Sequence, residues 1–155
     1  MIAIVDYGVG NLFSLVSSLK ALGLEAEVTG DASRLRAADK IILPGVGAFG
    51  DARRKLDDTG LVPVIREEAE KKPLLGICLG MQLLFDRSFE YGEHPGLGLV
   101  PGQVVDLRRD LTDPTLKVPH MGWNSLQILQ DDPLFRYVRD GEYVYYVHSF
   151  YARDC

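Results

Sequence analysis

Short apolar runs separated by helix-spaced stretches constrain this chain most. Ile2-Ala3-Ile4-Val5 is continuously apolar, the pattern of a strand covered on both faces. Further strands read at 24–28, at 41–43 (stopped by Pro44 and Gly45) and at 74–78. Between them Leu12, Leu15, Val16 and Leu19 fall at helical spacing, with Gly23 placed to end that helix. Helices also read at 51–56, at 61–71 with Pro63 in the first turn, and at 79–85. Strands alternating with helices predict a parallel sheet covered by helices. The second half changes character. Residues 92–98 are turn-rich, and 100–107, 126–129 and 143–151 read as strands with no clear helix between them, except a short one near 133–138. The expected fold class is therefore α/β: a three-layer, open, mostly parallel sheet flanked by helices, with antiparallel strands in the C-terminal half. No linker interrupts the 155 residues, so residues 1–155 read as a single domain, long enough to bury a real core.

Charge and composition exclude several classes. Seventeen basic against 22 acidic residues leave a formal charge of −5, a poor footing for nucleic-acid binding, which needs clustered Lys and Arg. No apolar stretch is long enough for a membrane span, and Asp6 and Gly8 interrupt the N-terminal apolar run that a signal peptide would need. Two cysteines, Cys78 and Cys155, fit a reducing, cytoplasmic setting better than a disulfide framework. No Cys/His/Asp cluster has metal-ligand spacing, and no cofactor is implied.

The sharpest local feature is Gly76-Ile77-Cys78-Leu79-Gly80-Met81-Gln82, which follows a strand and opens a helix. Glycines two positions before and after the cysteine relieve the crowding of a sharp strand-to-helix turn. Such a turn lifts the thiol to the top of the sheet, beside helix-terminal amides that favour a thiolate. The N–H of Leu79 is then a natural oxyanion donor. A buried structural cysteine is the plain alternative. Pro44-Gly45-Val46-Gly47-Ala48-Phe49-Gly50-Asp51 follows another expected parallel strand, so it emerges at the same sheet edge, where open α/β folds bind ligands. Its glycines would let backbone N–H groups approach a substrate oxygen; an ordinary tight turn is the alternative. Asp6-Tyr7-Gly8-Val9-Gly10-Asn11 is a third loop at that edge and lacks the full dinucleotide fingerprint. Pro119-His120-Met121-Gly122-Trp123-Asn124 holds the only tryptophan and reads as a partner-binding patch or a satellite core cluster. In 143–151, Val144, Tyr146, His148 and Phe150 share one face and Tyr145, Val147, Ser149 and Tyr151 the other. His148 reads as a core or supporting residue, or as the base for Cys78. His94 reads as a solvated loop residue.

Together these segments resemble the class I (triad) glutamine amidotransferases, and most closely the glutaminase subunits of imidazole glycerol phosphate synthases. The nucleophile motif around Cys78 is shared across the class. The loops 6–11, 44–51 and 119–124, with Val147-His148-Ser149-Phe150, narrow the resemblance, which covers the whole chain. It implies an enzyme in which Cys78 attacks glutamine to form a glutamyl thioester and ammonia. It implies oxyanion donors from Val46, Gly47 and Leu79, with the Val46 peptide rotating before its N–H points correctly. Gln82, Glu90, Ser149 and Phe150 would hold the glutamine. Asn11, Met121, Trp123 and Asn124 would face a cyclase partner of (β/α)8 fold, which uses the ammonia to make imidazole glycerol phosphate and aminoimidazole carboxamide ribotide in histidine biosynthesis.

The sequence departs from the family at one place. The family's triad is completed by a His-Pro-Glu type segment near the C-terminus, absent from these 155 residues. The one His-Pro pair, His94-Pro95, is followed by Gly96. The expectation is a truncated amidotransferase lacking its base and orienting carboxylate, and thus catalytically crippled. Two alternatives stand beside it: a non-catalytic fragment or pseudoenzyme that binds the cyclase, and a different cysteine hydrolase of similar fold using Cys78 with His148.

Overall fold

In the computed structural model, which describes residues 1–155, the first apolar run becomes β1 (Ile2–Val5) at the interior of a parallel sheet. Its neighbours are β2 (Ala26–Thr29) and β3 (Lys40–Leu43), and β3 in turn pairs with β4 (Leu74–Gly76). The register is regular, with Ile2 opposite both Ala26 and Lys40, and Leu43 opposite Gly76. Ala3, Ile4, Val5, Ile41, Ile42 and Leu43 are all buried, because helices cover both faces of a parallel sheet. The strand order β2-β1-β3-β4 places a topological switch between β1 and β3, where open α/β sheets take ligands at the carboxyl ends of their strands. The loops after β1 and β3 are therefore the ones that meet there.

The helices follow the sequence pattern with adjusted bounds. Asn11 caps α1 (Leu12–Ala21), its Oδ1 accepting from Ser14 N at 3.1 Å. A helix the pattern did not announce, α2 (Ala32–Ala37), is capped by Asp31, which accepts from Ser33 N at 2.6 Å and Arg34 N at 3.2 Å. Then come α3 (Phe49–Asp58) and α4 (Val62–Ala69), the latter with Pro63 in its first turn. Leu35, Phe49, Leu56, Ile65, Leu83 and Leu97 pack into one buried cluster beneath them.

The expected helix at 79–85 is shorter. It ends at Gln82 as α5 (Leu79–Gln82), and Phe85 opens β5 (Phe85–Ser88). The reason is competition for carbonyls. Leu83 O accepts from Leu97 N at 2.7 Å, Leu84 O from Leu99 N at 2.8 Å and Asp86 O from Gly96 N at 2.8 Å. The returning segment thus takes the acceptors that a longer helix would use. A second sheet runs β10-β7-β5-β6, with β6 (His94–Pro95), β7 (Val100–Asp106) and β10 (Phe150–Arg153). Its β5–β7 pair is parallel and its β5–β6 pair antiparallel. The antiparallel β5–β6 pair thus lies outside the first sheet.

The chain groups into two compact units, Met1–Val105 with Ala152–Cys155, and Asp106–Tyr151. The second unit is built on an antiparallel ribbon of β8 (His120–Ser125) and β9 (Tyr143–His148), with His120 opposite His148 and Ser125 opposite Tyr143. The strand expected at 126–129 is not there; the pairing falls on 120–125, the motif read as a loop. Gly122 and Asn124 are poor strand formers, and cross-strand partners on β9 override that preference. Near 133–138 there is a single 3-10 turn, Pro133–Phe135. No helix is long and apolar enough to cross a membrane.

Candidate active site around Cys78

Cys78 stands between β4 and α5 with φ +55° and ψ −119°. An L-residue rarely adopts that region, and the surrounding structure must hold it there. The hold is visible on both sides. Ile77 N donates to Leu43 O at 3.0 Å, which extends the β3 pairing one step beyond β4. Cys78 O accepts from Met81 N at 3.0 Å and Gln82 N at 3.2 Å, and Ile77 O from Gly80 N at 3.0 Å. A Cβ on Gly76 would overlap the Met81 backbone, and one on Gly80 the Leu43 carbonyl. The two glycines are thus required by the turn, as their spacing implies. The thiol is exposed, so the buried structural cysteine is excluded. Leu79 is the first helical residue, and its N–H has no acceptor within the helix.

The loop after β3 lies against this turn. Gly45 is buried, and a Cβ there would stand 2.5 Å from Gly80 N and 2.9 Å from both the carbonyl carbon and the Cβ of Leu79. Val46 and Gly47 form the exposed outer bend. Ala48 provides no side-chain cap for α3; instead Glu90, from the loop after β5, accepts from Phe49 N through Oε2 at 2.7 Å. The first unit thus brings Cys78, Leu79, Val46, Gly47 and Glu90 to one edge of the sheet. Gln82 follows Cys78 by one helical turn and is half-buried. Within this unit the Cys78 thiol has no hydrogen-bond partner. His94 packs over Gly50 and lies 6.4 Å from the Phe49 ring, centre to centre.

One residue at this edge escaped the sequence reading. Tyr7, from the loop after β1, is buried and donates its hydroxyl to Pro44 O at 2.6 Å. Burial pushes its phenol above the ordinary value near 10, so it remains a donor. The only sequence hint is general: a tyrosine buried among apolar residues needs a partner for its hydroxyl.

Asn11 caps α1 in the first unit, and the remaining candidates lie on the second unit. Ser149 O accepts from Leu107 N at 2.9 Å. His148 Nδ1 is 2.9 Å from Phe150 O. A carbonyl only accepts, so Nδ1 carries the proton and Nε2 is the acceptor of the neutral ring. Met121 and Trp123 are exposed on β8, opposite Val147 and Tyr145, and the Trp123 and Tyr145 rings meet edge to face at 5.5 Å. Asn124 is exposed, its Oδ1 accepting from Ser125 N at 3.0 Å. No three His, Cys, Asp or Glu side chains converge as a metal site requires.

A model of the class-I glutamine amidotransferase family matches residues 3–154. The imidazole glycerol phosphate synthase subunit HisH of Sulfurimonas denitrificans is 50% identical over 153 residues, covering 98% of this chain and 73% of that protein. The subunit of the same name from Lacticaseibacillus casei is 53% identical over 153 residues, 98% of this chain and 72% of the relative. Among solved structures, a glutamine amidotransferase superposes with a TM-score of 0.72 at 19% identity, covering 99% of this chain and 74% of the other. A GMP synthase protein from Thermoplasma acidophilum gives 0.65 at 19% identity, covering 99% and 66%. At such identities the structural likeness speaks for the fold.

Proposed function

The chain belongs to the class I glutamine amidotransferases and, within them, to the family of the imidazole glycerol phosphate synthase subunit HisH, and from that premise we propose that it is a glutaminase subunit. The observation that carries this reading is Cys78, exposed at φ +55° on a strand-to-helix turn, with the loop 45–48 packed against the same turn. The Cys78 sulfur bonds to the side-chain carbonyl carbon of glutamine. The carbon–nitrogen bond breaks, ammonia leaves with an added proton, and water then cleaves the thioester to glutamate. Amides of Val46, Gly47 and Leu79 stabilise the oxyanion, a role worth about 2.7–4 kcal/mol per donor. Glutamine is held by Gln82, Glu90, Ser149 and Phe150, with the Glu90 carboxylate suited to the ammonium end.

The same reading gives the chain a cyclase partner of (β/α)8 fold, met by Asn11, Met121, Trp123 and Asn124. The ammonia then serves the synthesis of imidazole glycerol phosphate and aminoimidazole carboxamide ribotide. It further takes residues 1–155 as one amidotransferase domain, cytoplasmic and without nucleic-acid partners.

The base is the open element. His94 packs on Gly50, His148 donates Nδ1–H to Phe150 O, and none of the three histidines stands in a His-Pro-Glu segment. The chemistry needs a group that takes the thiol proton and returns one to the leaving ammonia. The test measures ammonia released from glutamine with the cyclase saturating, for the protein and for its Cys78→Ala variant. Release that vanishes in Cys78→Ala supports the assignment; release that survives Cys78→Ala refutes it.

A further inference from the structure

We propose that Tyr7 is a positioning residue for the oxyanion loop: its buried hydroxyl fixes the Pro44–Gly45 peptide, and so sets where the Val46 and Gly47 amides can point. The proposal rests on the reading of Cys78 as the nucleophile and of loop 45–48 as a source of oxyanion donors.

The loop is fixed at both ends by groups distant in sequence. At its start, Tyr7 donates to Pro44 O at 2.6 Å. A proline has no N–H, so the carbonyl is the one backbone group through which this residue can be held. Gly10, from the same loop as Tyr7, approaches Pro44 so closely that a Cβ on it would stand 2.8 Å from Pro44 Cβ. Pro44 is thus held by a hydrogen bond and bounded by Gly10. At the far end, Phe49 N is held by Glu90 Oε2 at 2.7 Å. Gly45 cannot turn inward, because Leu79 and Gly80 stand against it. Rotational freedom is left to Val46 and Gly47. Both are exposed, and a Cβ added to Gly47 would meet nothing within 4 Å beyond its chain neighbours. A peptide that must aim a donor within a few tenths of an ångström needs a fixed pivot. The Tyr7 hydroxyl supplies that pivot.

Removing the hydroxyl in Tyr7→Phe keeps the ring and frees the Pro44 carbonyl. The loss should then fall on adducts that place an oxyanion near the loop, and spare reactions of the thiol that form none. The probe is 5-oxopentanoate, the aldehyde counterpart of glutamine without its amino group, which therefore cannot close to a cyclic imine. The Cys78 thiolate adds its sulfur to the aldehyde carbon, the carbon–oxygen double bond becomes single, and the negative charge passes to the oxygen of the hemithioacetal, at the oxyanion position. Iodoacetamide instead alkylates the sulfur by displacing iodide and forms no oxyanion. Alkylation of the Cys78 peptide, followed by mass spectrometry against increasing aldehyde, yields both quantities at once. In Tyr7→Phe the aldehyde concentration that halves alkylation should rise about tenfold, while the alkylation rate without aldehyde stays within twofold of wild type.

An unchanged half-protecting concentration overturns the role of Tyr7 and leaves the glutaminase reading intact. A parallel loss of alkylation and protection shows a merely structural hydroxyl and also overturns it. Absence of aldehyde protection in the wild-type chain overturns the nucleophile assignment, and the proposal with it. Urea unfolding establishes that Tyr7→Phe is folded. If it is not, Gly10→Ala presses on Pro44 directly and decides by the same two readouts: selective loss of protection supports the pivot, and none refutes it.

Discussion

Gly45→Ala separates local preference from tertiary contact, because the two predict opposite signs. Gly45 does not occupy the left-handed region. By backbone preference alone alanine would stabilise the protein by about 0.4–1 kcal/mol, through a less disordered unfolded chain. The structure opposes this. The new methyl would lie 2.5 Å from Gly80 N and 2.9 Å from two carbons of Leu79, where non-bonded carbon contacts are most favourable near about 3.5–4.0 Å. Roughly 1 Å of separation must therefore be found. The α5 side cannot give it cheaply, since Gly80 N is bonded to Ile77 O at 3.0 Å and Leu79 is buried. Nor can the loop, since Tyr7 holds Pro44 O and Glu90 holds Phe49 N. Overpacking of this kind costs about 1–3 kcal/mol, so the net expectation is a loss of about 1–2 kcal/mol after the backbone gain. Urea unfolding should show a lower midpoint with an unchanged slope. Thermal melting should fall by about 2–4 °C per kcal/mol. An equal or higher midpoint would refute the claim that this loop is held from both sides.

Other expectations concern caps and charges. Glu90→Ala removes the acceptor at the start of α3 and should cost about 1 kcal/mol in urea unfolding, while Glu90→Gln should recover much of it. Asn11→Ala removes the α1 cap and should likewise cost about 1 kcal/mol, whether or not the partner is present; a loss of cyclase affinity beyond that would place Asn11 at the interface as well. The buried Glu68 carboxyl pairs with Lys72 at 2.6 Å and Lys71 at 3.2 Å, and the Lys72 hydrogen bond, with that of Lys71, holds it below its ordinary value near 4.5. A lowered folded pKa stabilises above the unfolded pKa and fades as pH falls through the folded one. The stability gap between wild type and Glu68→Gln should thus be constant near neutrality and shrink on acidification below about pH 4.5; a gap that widens would refute the pairing.

The sequence by itself determined the layered plan and the sharp turn at Cys78. Apolar runs such as 2–5 and 41–43 can be buried only in a sheet covered on both faces, and glycines flanking Cys78 announce a turn that no other residue fits. Those signals are local, because they arise from the backbone geometry of a few consecutive residues. What the tertiary structure decided depends on partners far away in the chain. Leu83–Asp86 could have extended α5, yet their carbonyls go to residues 96–99, and a strand results. Residues 120–125 pair as a strand in spite of Gly122 and Asn124 because β9 lies opposite them. The loop 45–48 is held by Tyr7, 37 residues before Pro44, and by Glu90, 41 residues after Phe49. No spacing or propensity announces a hydrogen bond between such positions. The Tyr7 bond exists because the switch between β1 and β3 brings the loops after those strands to one edge of the sheet.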